Sequence, residues 1–395
     1  AEMLRRSLGL SRSETEVLEL MLVGRSNVEI SKERHRSIDT VKSQTQSIFR
    51  KLGVASRVEA VQVIKDITSL AALSGAPPPA AVALSRAKRD ITFAHDPSVW
   101  KVEEIDGRDV GYVHYPAESP AKEPGRSVIL FHGLLQGPEL SDRTQHAFRR
   151  AGYELIGVSK PGYGATARTP RDGDFLRTAL DDAHAIARKL RLNKPILLGH
   201  LFGGHAAIEY AARWPDEVSG IVFCSTYFPL QIADHLVPIG AVQKLAMSSG
   251  LTSWAAHQFI AHTGVAYLRY GGAQRYLAAL SERSPADRKA MEDFDIRSLL
   301  HAGVRHVSIS GATAFLADTA ASRHDWSGLL REIRKPCVML HGDSDPAVNP
   351  QIARIAARMI PDCRYEELED TGQQLLHMVP EKLVAAFDEI RGRSG

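Results

Sequence analysis

One stretch constrains this chain more than any other: ILLGHLFGGHAA, residues 196–207. An apolar run too short for a helix reaches Gly199, turns through His200, Leu201 and Phe202, and resumes at Gly203 as a small-residue, helix-compatible run. Glycines on both sides of the turn let the strand and helix backbones approach closely. An uninterrupted apolar strand is one covered on both faces, as in a parallel sheet with helices above and below. The tip of the turn, Leu201, is a hydrocarbon side chain.

The same strand–turn–helix pattern recurs from about residue 91 onward. WKVEEIDGRDVGYVHYP alternates on either side of Asp106-Gly107, a hairpin signal. SVILFHGLLQG and YELIGVSKPGYGAT follow as strands, a helix is expected over about 174–191, and VSGIVFCST, PCVMLHGDSDPAVNP and CRYEELED supply the last strands. Residues 227–325 break the alternation and read as mostly helical, a cap over the strand ends where such sheets place ligand sites. The expected fold class is α/β, a mostly parallel sheet with a helical cap.

A different module precedes it. LAALSGAPPPAAVALSRAKRD contains Pro77, Pro78 and Pro79, which forbid helix and mark a linker. The expected division is a small all-α domain over 1–69, an Ala/Pro-rich linker over 70–95 and the α/β domain over 96–395. Residues 1–70 hold 12 Lys and Arg against 9 Asp and Glu, and the remainder holds 37 of each, so the net charge of +3 sits at the N-terminal end. That excess is compatible with a nucleic-acid partner. The first residues lack the apolar core of a signal peptide, and no run approaches a membrane span, so neither a leader nor a membrane partner is expected. Cys224, Cys337 and Cys363 lie far apart in no metal-ligand spacing, which points to a reducing cytoplasm and to no metal or cofactor.

Within the first module, Ser11-Arg12-Ser13-Glu14 and Ser26-Asn27-Val28-Glu29 are S-x-x-E capping boxes that each open a helix. Ser37 opens a third, whose Ile38, Val41, Ile48, Phe49 and Leu52 form one apolar stripe with Thr45 among them. Its other face shows Asp39, Ser43, Gln46, Ser47 and Arg50, flanked by Lys42 and Gln44, a polar surface suited to the DNA major groove. The runs LSRSETEVLELMLVGRSNVEIS and SIDTVKSQTQSIFRKLGVASRVEAV resemble the LuxR-type helix-turn-helix. That resemblance implies base-edge contacts from Lys42, Ser43 and Gln46, phosphate contacts from Thr40, Gln44 and Arg50, and a homodimer on two half-sites of double-stranded DNA. Arg34 and Arg36 depart from the family, which usually has apolar residues there.

The second module resembles the α/β-hydrolase superfamily through His132-Gly133 after a strand, Pro161-Gly162-Tyr163-Gly164, the Gly199–Gly203 turn and the H-G-D-S-D-P run that contains Asp345. The resemblance implies a nucleophile at the turn tip, a histidine base after the last strand and an acid at Asp345. Here the tip is Leu201, and the base position, on either register of EDTGQQLLHMVPEK, is Gln373 or Gln374. The expectation is a degenerate, non-catalytic site that binds a small apolar molecule with a carbonyl group. Its candidate lining is Leu201, Phe202, His132, Leu134, Leu135, Asp345, Gln373, Gln374, Tyr227 and Trp254. The two modules together suggest a ligand-responsive, DNA-binding transcriptional regulator. The alternatives are a DNA-binding protein that uses the hydrolase fold only for dimerisation or partner binding, and a hydrolase with an atypical nucleophile.

Overall fold

A computed structural model describes residues 10–52, 56–58, 60–61, 91–119, 123–170, 173–229, 232, 261–262, 264–321 and 325–394, in two compact units. The first contains α1 (Arg12–Leu22), α2 (Asn27–Glu33) and α3 (Ile38–Leu52). Both capping boxes form: the Glu14 carboxylate accepts from the Ser11 N–H at 2.6 Å, and that of Glu29 from the Ser26 N–H at 2.7 Å. Each serine hydroxyl accepts in return from the glutamate N–H, so the helix starts are satisfied locally. Val17, Leu18, Met21, Ile30, Val41, Ile48 and Ala60 close one small core.

The second unit runs through β1 (Trp100–Ile105), β2 (Arg108–Tyr115), β3 (Ser127–Phe131), α4 (Asp142–Arg150), β4 (Glu154–Val158), α5 (Phe175–Lys189), β5 (Ile196–His200), α6 (Gly203–Arg213) and β6 (Gly220–Cys224). The cap helices α7 (Ala273–Ser281), α8 (Pro285–Glu292), α9 (Phe294–Ser308) and α10 (Ala312–Ala321) follow, then α11 (Ser327–Leu330). The chain returns through β7 (Cys337–Gly342), α12 (Pro350–Met359), β8 (Cys363–Leu368), α13 (Leu375–Met378) and α14 (Pro380–Ser394). The eight strands lie in the order β1-β2-β4-β3-β5-β6-β7-β8. The β1–β2 and β2–β4 pairs are antiparallel and all others parallel.

β3, β5, β6 and β7 are buried along their whole length, because alternate residues enter different cores. Ile129, Leu197, Phe223 and Met339 meet α5, α6 and α12 on one face. Val128, Leu198, Val222 and Leu340 meet α4 and α14 on the other. The sheet's outermost strands are charged: Glu103 of β1 pairs with Lys189, while Arg364, Glu366 and Glu367 of β8 pair with Glu389, Lys382 and Arg354. Phe93, expected in the linker, is 2% exposed and packs with Trp100, so the second unit's core begins ahead of residue 96. Among the described residues no helix is long and apolar enough to cross a membrane.

Candidate functional site

In the first unit, Thr40, Lys42, Ser43 and Gln46 are all exposed along α3, on the side opposite buried Val41, Thr45 and Ile48. Ser37 accepts from the Thr40 N–H at 3.1 Å and fixes where the helix begins. Gln44 behaves differently. Its side-chain oxygen accepts from Arg34 Nη1 at 2.9 Å, and Arg34 Nη2 donates to Glu16 at 2.8 Å. Arg34 therefore ties α1 to α3 through polar contacts, and half-buried Gln44 is part of that tie. The side chain of Arg50 lies outside the described residues.

In the second unit, the 199–204 turn is held by close packing. A Cβ on Gly203 would lie 1.7 Å from the Phe131 carbonyl oxygen, and one on Gly204 would lie 2.1 Å from Thr226 Cγ2. Leu201 takes φ +52°, in the left-handed region that L-residues avoid at a cost of about 1–2 kcal/mol. Its N–H donates to the Cys224 carbonyl at 3.2 Å, and its own carbonyl accepts from Tyr227 at 3.0 Å. Its side chain packs onto Gly133, so closely that a Cβ there would stand 3.0 Å from Leu201 Cδ1. Phe202 stacks on Tyr227 at 4.4 Å. Leu134 and Leu135 are half-buried, and Trp254 lies outside the described residues.

His132, His200 and His377 are buried. His132 Nδ1 lies 2.8 Å from the Gly133 carbonyl and 2.9 Å from that of Gln136, so it carries the proton, and Nε2 accepts from the Lys160 N–H. Burial, with Lys160 nearby, pushes the His132 pKa well down. Burial likewise lowers His200 to about 3 and His377 to about 4.

Asp345 is buried while Asp343 is exposed. Asp345 Oδ1 accepts from the N–H groups of Ala347 at 2.8 Å and Val348 at 3.0 Å. Its Oδ2 has no hydrogen-bond partner among the described residues, and burial raises its pKa to about 6. His341 Nε2, 3.8 Å from Oδ2, is committed to the Val348 carbonyl. The 372–374 loop is engaged by the cap: the Asp287 carboxylate of α8 accepts from the N–H groups of Gln373 at 3.1 Å and Gln374 at 3.0 Å. Gln136 Nε2 reaches Gln374 Oε1 at 3.4 Å.

Two small cavities open nearby. The larger, about 20 Å³, is lined by His132 and Phe202 together with Phe131, Lys160, His205 and Asp318. The smaller, about 10 Å³, is lined by Gln373 and Gln374 with Ser281, Asp287 and Met291. Each has room for about one water or slightly more. Leu201 and Asp345 line neither, and the Leu201 isobutyl group rests on Gly133. Sequence reasoning missed Lys160, Tyr163 and Asp318, which meet beside the larger cavity. The signal present was a lysine closing an apolar strand immediately before Pro161-Gly162.

Comparison with known proteins gives both modules an ancestry. Residues 122–377 match the family described as serine aminopeptidase, S33, and residues 8–64 match bacterial regulatory proteins of the luxR family. The magnesium-chelatase 30 kDa subunit of Rhodobacter capsulatus is 23% identical over 279 residues, covering 69% of this chain and 88% of that protein. The pimeloyl-[acyl-carrier protein] methyl ester esterase of Aromatoleum aromaticum is 24% identical over 269 residues, covering 67% and 97%. The crystal structure of the enol-lactonase from Burkholderia xenovorans LB400 shares the fold, with a TM-score of 0.54 at 16% identity, over 73% of this chain and 99% of that one.

Proposed function

We propose, on the premise that this chain belongs to the serine aminopeptidase S33 family of α/β hydrolases and joins that fold to a luxR-family DNA-binding module, that its hydrolase-like unit receives a small molecule instead of cleaving one. The protein is then a ligand-responsive transcriptional regulator. The observation that carries this reading is the tip of the 199–204 turn, which keeps a left-handed backbone while presenting a leucine. Acyl transfer needs a nucleophile and a base. Leucine has no lone pair to attack with, and the amides of Gln373 and Gln374 cannot take a proton near neutral pH. Asp345, the remaining acid, has one oxygen with no partner among the described residues.

What persists is suited to binding. Among the described residues no backbone carbonyl accepts from the N–H of Leu134 or Phe202, which leaves two donors for a ligand carbonyl oxygen. On the DNA side, Lys42, Ser43 and Gln46 are read as base-contacting and Thr40 as phosphate-contacting, in a homodimer on two half-sites. A ligand changes operator affinity only if it binds one state of the protein better than another.

The test is a thermal-shift screen of the full chain with acylated lactones, fatty acids and aromatic esters, followed by operator binding with and without each hit. A ligand at about 100 times its Kd adds about 2.7 kcal/mol of stability. A second reading, in which the hydrolase-like unit is only a dimerisation or partner surface, is favoured by cavities of about 20 and 10 Å³. Absence of any stabilising ligand selects that second reading. Steady ester turnover abolished by Asp345→Ala selects a hydrolase with an unusual nucleophile.

A further inference from the structure

The larger cavity contains a charged pair that the reading above does not use. Lys160 follows β4 and is 8% exposed, and Asp318 lies on cap helix α10 and is 4% exposed. Lys160 Nζ donates to both oxygens of Asp318, at 3.1 and 2.8 Å. The Tyr163 hydroxyl donates to the second oxygen at 3.1 Å. An ammonium and a phenol from the sheet side thus converge on one carboxylate supplied by the cap. The walls around them are apolar, with Phe131, Val158, Phe175, Leu176 and Phe202 among them.

We propose that Lys160 and Tyr163 form a receptor for an organic monocarboxylate with an apolar body, and that Asp318 is a resident stand-in which the ligand displaces, uncoupling α10 from the sheet. This deepens the receptor reading above and rests on it. The physical argument is exchange. A buried ammonium left without its partner is strongly destabilising. Replacing one carboxylate by another keeps Lys160 neutralised, lets the ligand's apolar body meet apolar walls, and returns Asp318 to water as α10 shifts. Asp318 fills the charged end of the site, beside a cavity of about 20 Å³.

The charge count selects a monoanion. Lys160 is the one ammonium or guanidinium lining this cavity among the described residues, and the His205 ring, also in the lining, stacks on Trp326 and lies 3.5 Å from the Glu209 carboxylate. Its imidazole neighbours His132 and His306 are held neutral by burial and by Lys160 itself. A phosphate dianion would carry a second charge that nothing there matches.

The experiment is calorimetric titration of the full chain and of Asp318→Asn with hexanoate, octanoate and benzoate, each beside its primary amide. Asparagine keeps the shape of the resident group and removes its competing charge. The expected result is carboxylate binding at least ten-fold tighter in D318N than in the parent, with no gain for the amides. The double variant K160M/D318N removes both charges, leaves neither one buried alone, and loses carboxylate binding. Octanoate speeds hydrogen exchange of the 312–321 amides in the parent. Equal carboxylate affinity in parent and D318N, amides binding as well as carboxylates, retained binding in the double variant, or slower exchange in α10 each overturn the proposal. Lactones and esters that stabilise the protein while carboxylates do not would refute this site and leave the receptor reading standing. Carboxylate binding as stated, with operator affinity unchanged, would support the site and refute the regulator.

Discussion

Replacing Asp345 with asparagine should make this protein more stable. The carboxyl is fully buried, with two backbone donors on one oxygen and none among the described residues on the other. Burial lifts its pKa from the ordinary 3.8 to about 6. The folded chain therefore holds this proton more tightly than the unfolded chain does. Ionising the site works against folding, so its contribution is most favourable below about pH 4, declines as pH rises toward 6, and is level above that. At about 1.4 kcal/mol per tenfold change in proton affinity, the interval from 3.8 to about 6 corresponds to on the order of 3 kcal/mol. Asparagine keeps an oxygen for the Ala347 and Val348 N–H groups and carries no charge. Asp345→Asn should therefore gain on the order of 3 kcal/mol at pH 7.5, shrinking to nothing by pH 4. Urea unfolding followed by tryptophan fluorescence reads this out, because Trp100, Trp214, Trp254 and Trp326 all lie outside the helix-turn-helix module. The sign carries functional information: were an imidazolium hydrogen-bonded to Oδ2, removing the charge would destabilise the fold, whereas His341, 3.8 Å from Oδ2, is committed to the Val348 carbonyl. A loss of stability at pH 7.5, or the same gain at pH 4 and 7.5, refutes the reasoning.

The other predictions concern DNA, chemistry and packing. Lys42→Ala and Gln46→Ala should each weaken specific operator binding by about 1–3 kcal/mol in a mobility-shift titration, and unchanged affinity for both would remove α3 as the recognition helix. Operator affinity should also fall steeply between low and moderate salt, and a flat response would point to a protein partner. Leu201→Ser should stay at background on p-nitrophenyl esters, since the new hydroxyl finds no base; turnover would show that Gln373 and Gln374 do not occupy the base position. Gly204→Ala drives a methyl to 2.1 Å from Thr226 Cγ2 and should cost about 1–3 kcal/mol. Adding Thr226→Ser removes that methyl and keeps the hydroxyl that donates to the Gly199 carbonyl at 2.7 Å. The double variant should recover about 1 kcal/mol or more of the loss, and strict additivity would contradict the packing.

Features set by neighbouring residues were legible in the sequence. The two capping boxes close within four residues, and the apolar run ahead of Gly199 can only be a covered strand. Asp345 was named from its place in the H-G-D-S-D-P run, and its carboxyl is buried where that of Asp343 is exposed. Contacts between distant residues were not legible. Lys160 meets Asp318 across 158 positions, and Asp287 meets Gln373 across 86. A charged residue in an isolated cap helix reads as solvated surface until the sheet that faces it is known. The part played by Arg34 was not legible, because Glu16 and Gln44, which satisfy it, lie on two other helices. The direction of the Leu201 side chain was not legible either: at φ +52° it lies on Gly133, which is distant in the sequence.

The ion-paired flanks of the eight-stranded sheet limit how two copies can meet. An outer strand whose backbone is open invites another chain to extend the ladder, and rows of lysine, arginine and glutamate discourage that. Here Glu103 guards one flank, and Arg364, Glu366 and Glu367 guard the other. Edge-to-edge growth into a continuous two-molecule sheet is thereby disfavoured, and the homodimer proposed above would have to form through helical surfaces, which can slide or rotate where a shared ladder would lock.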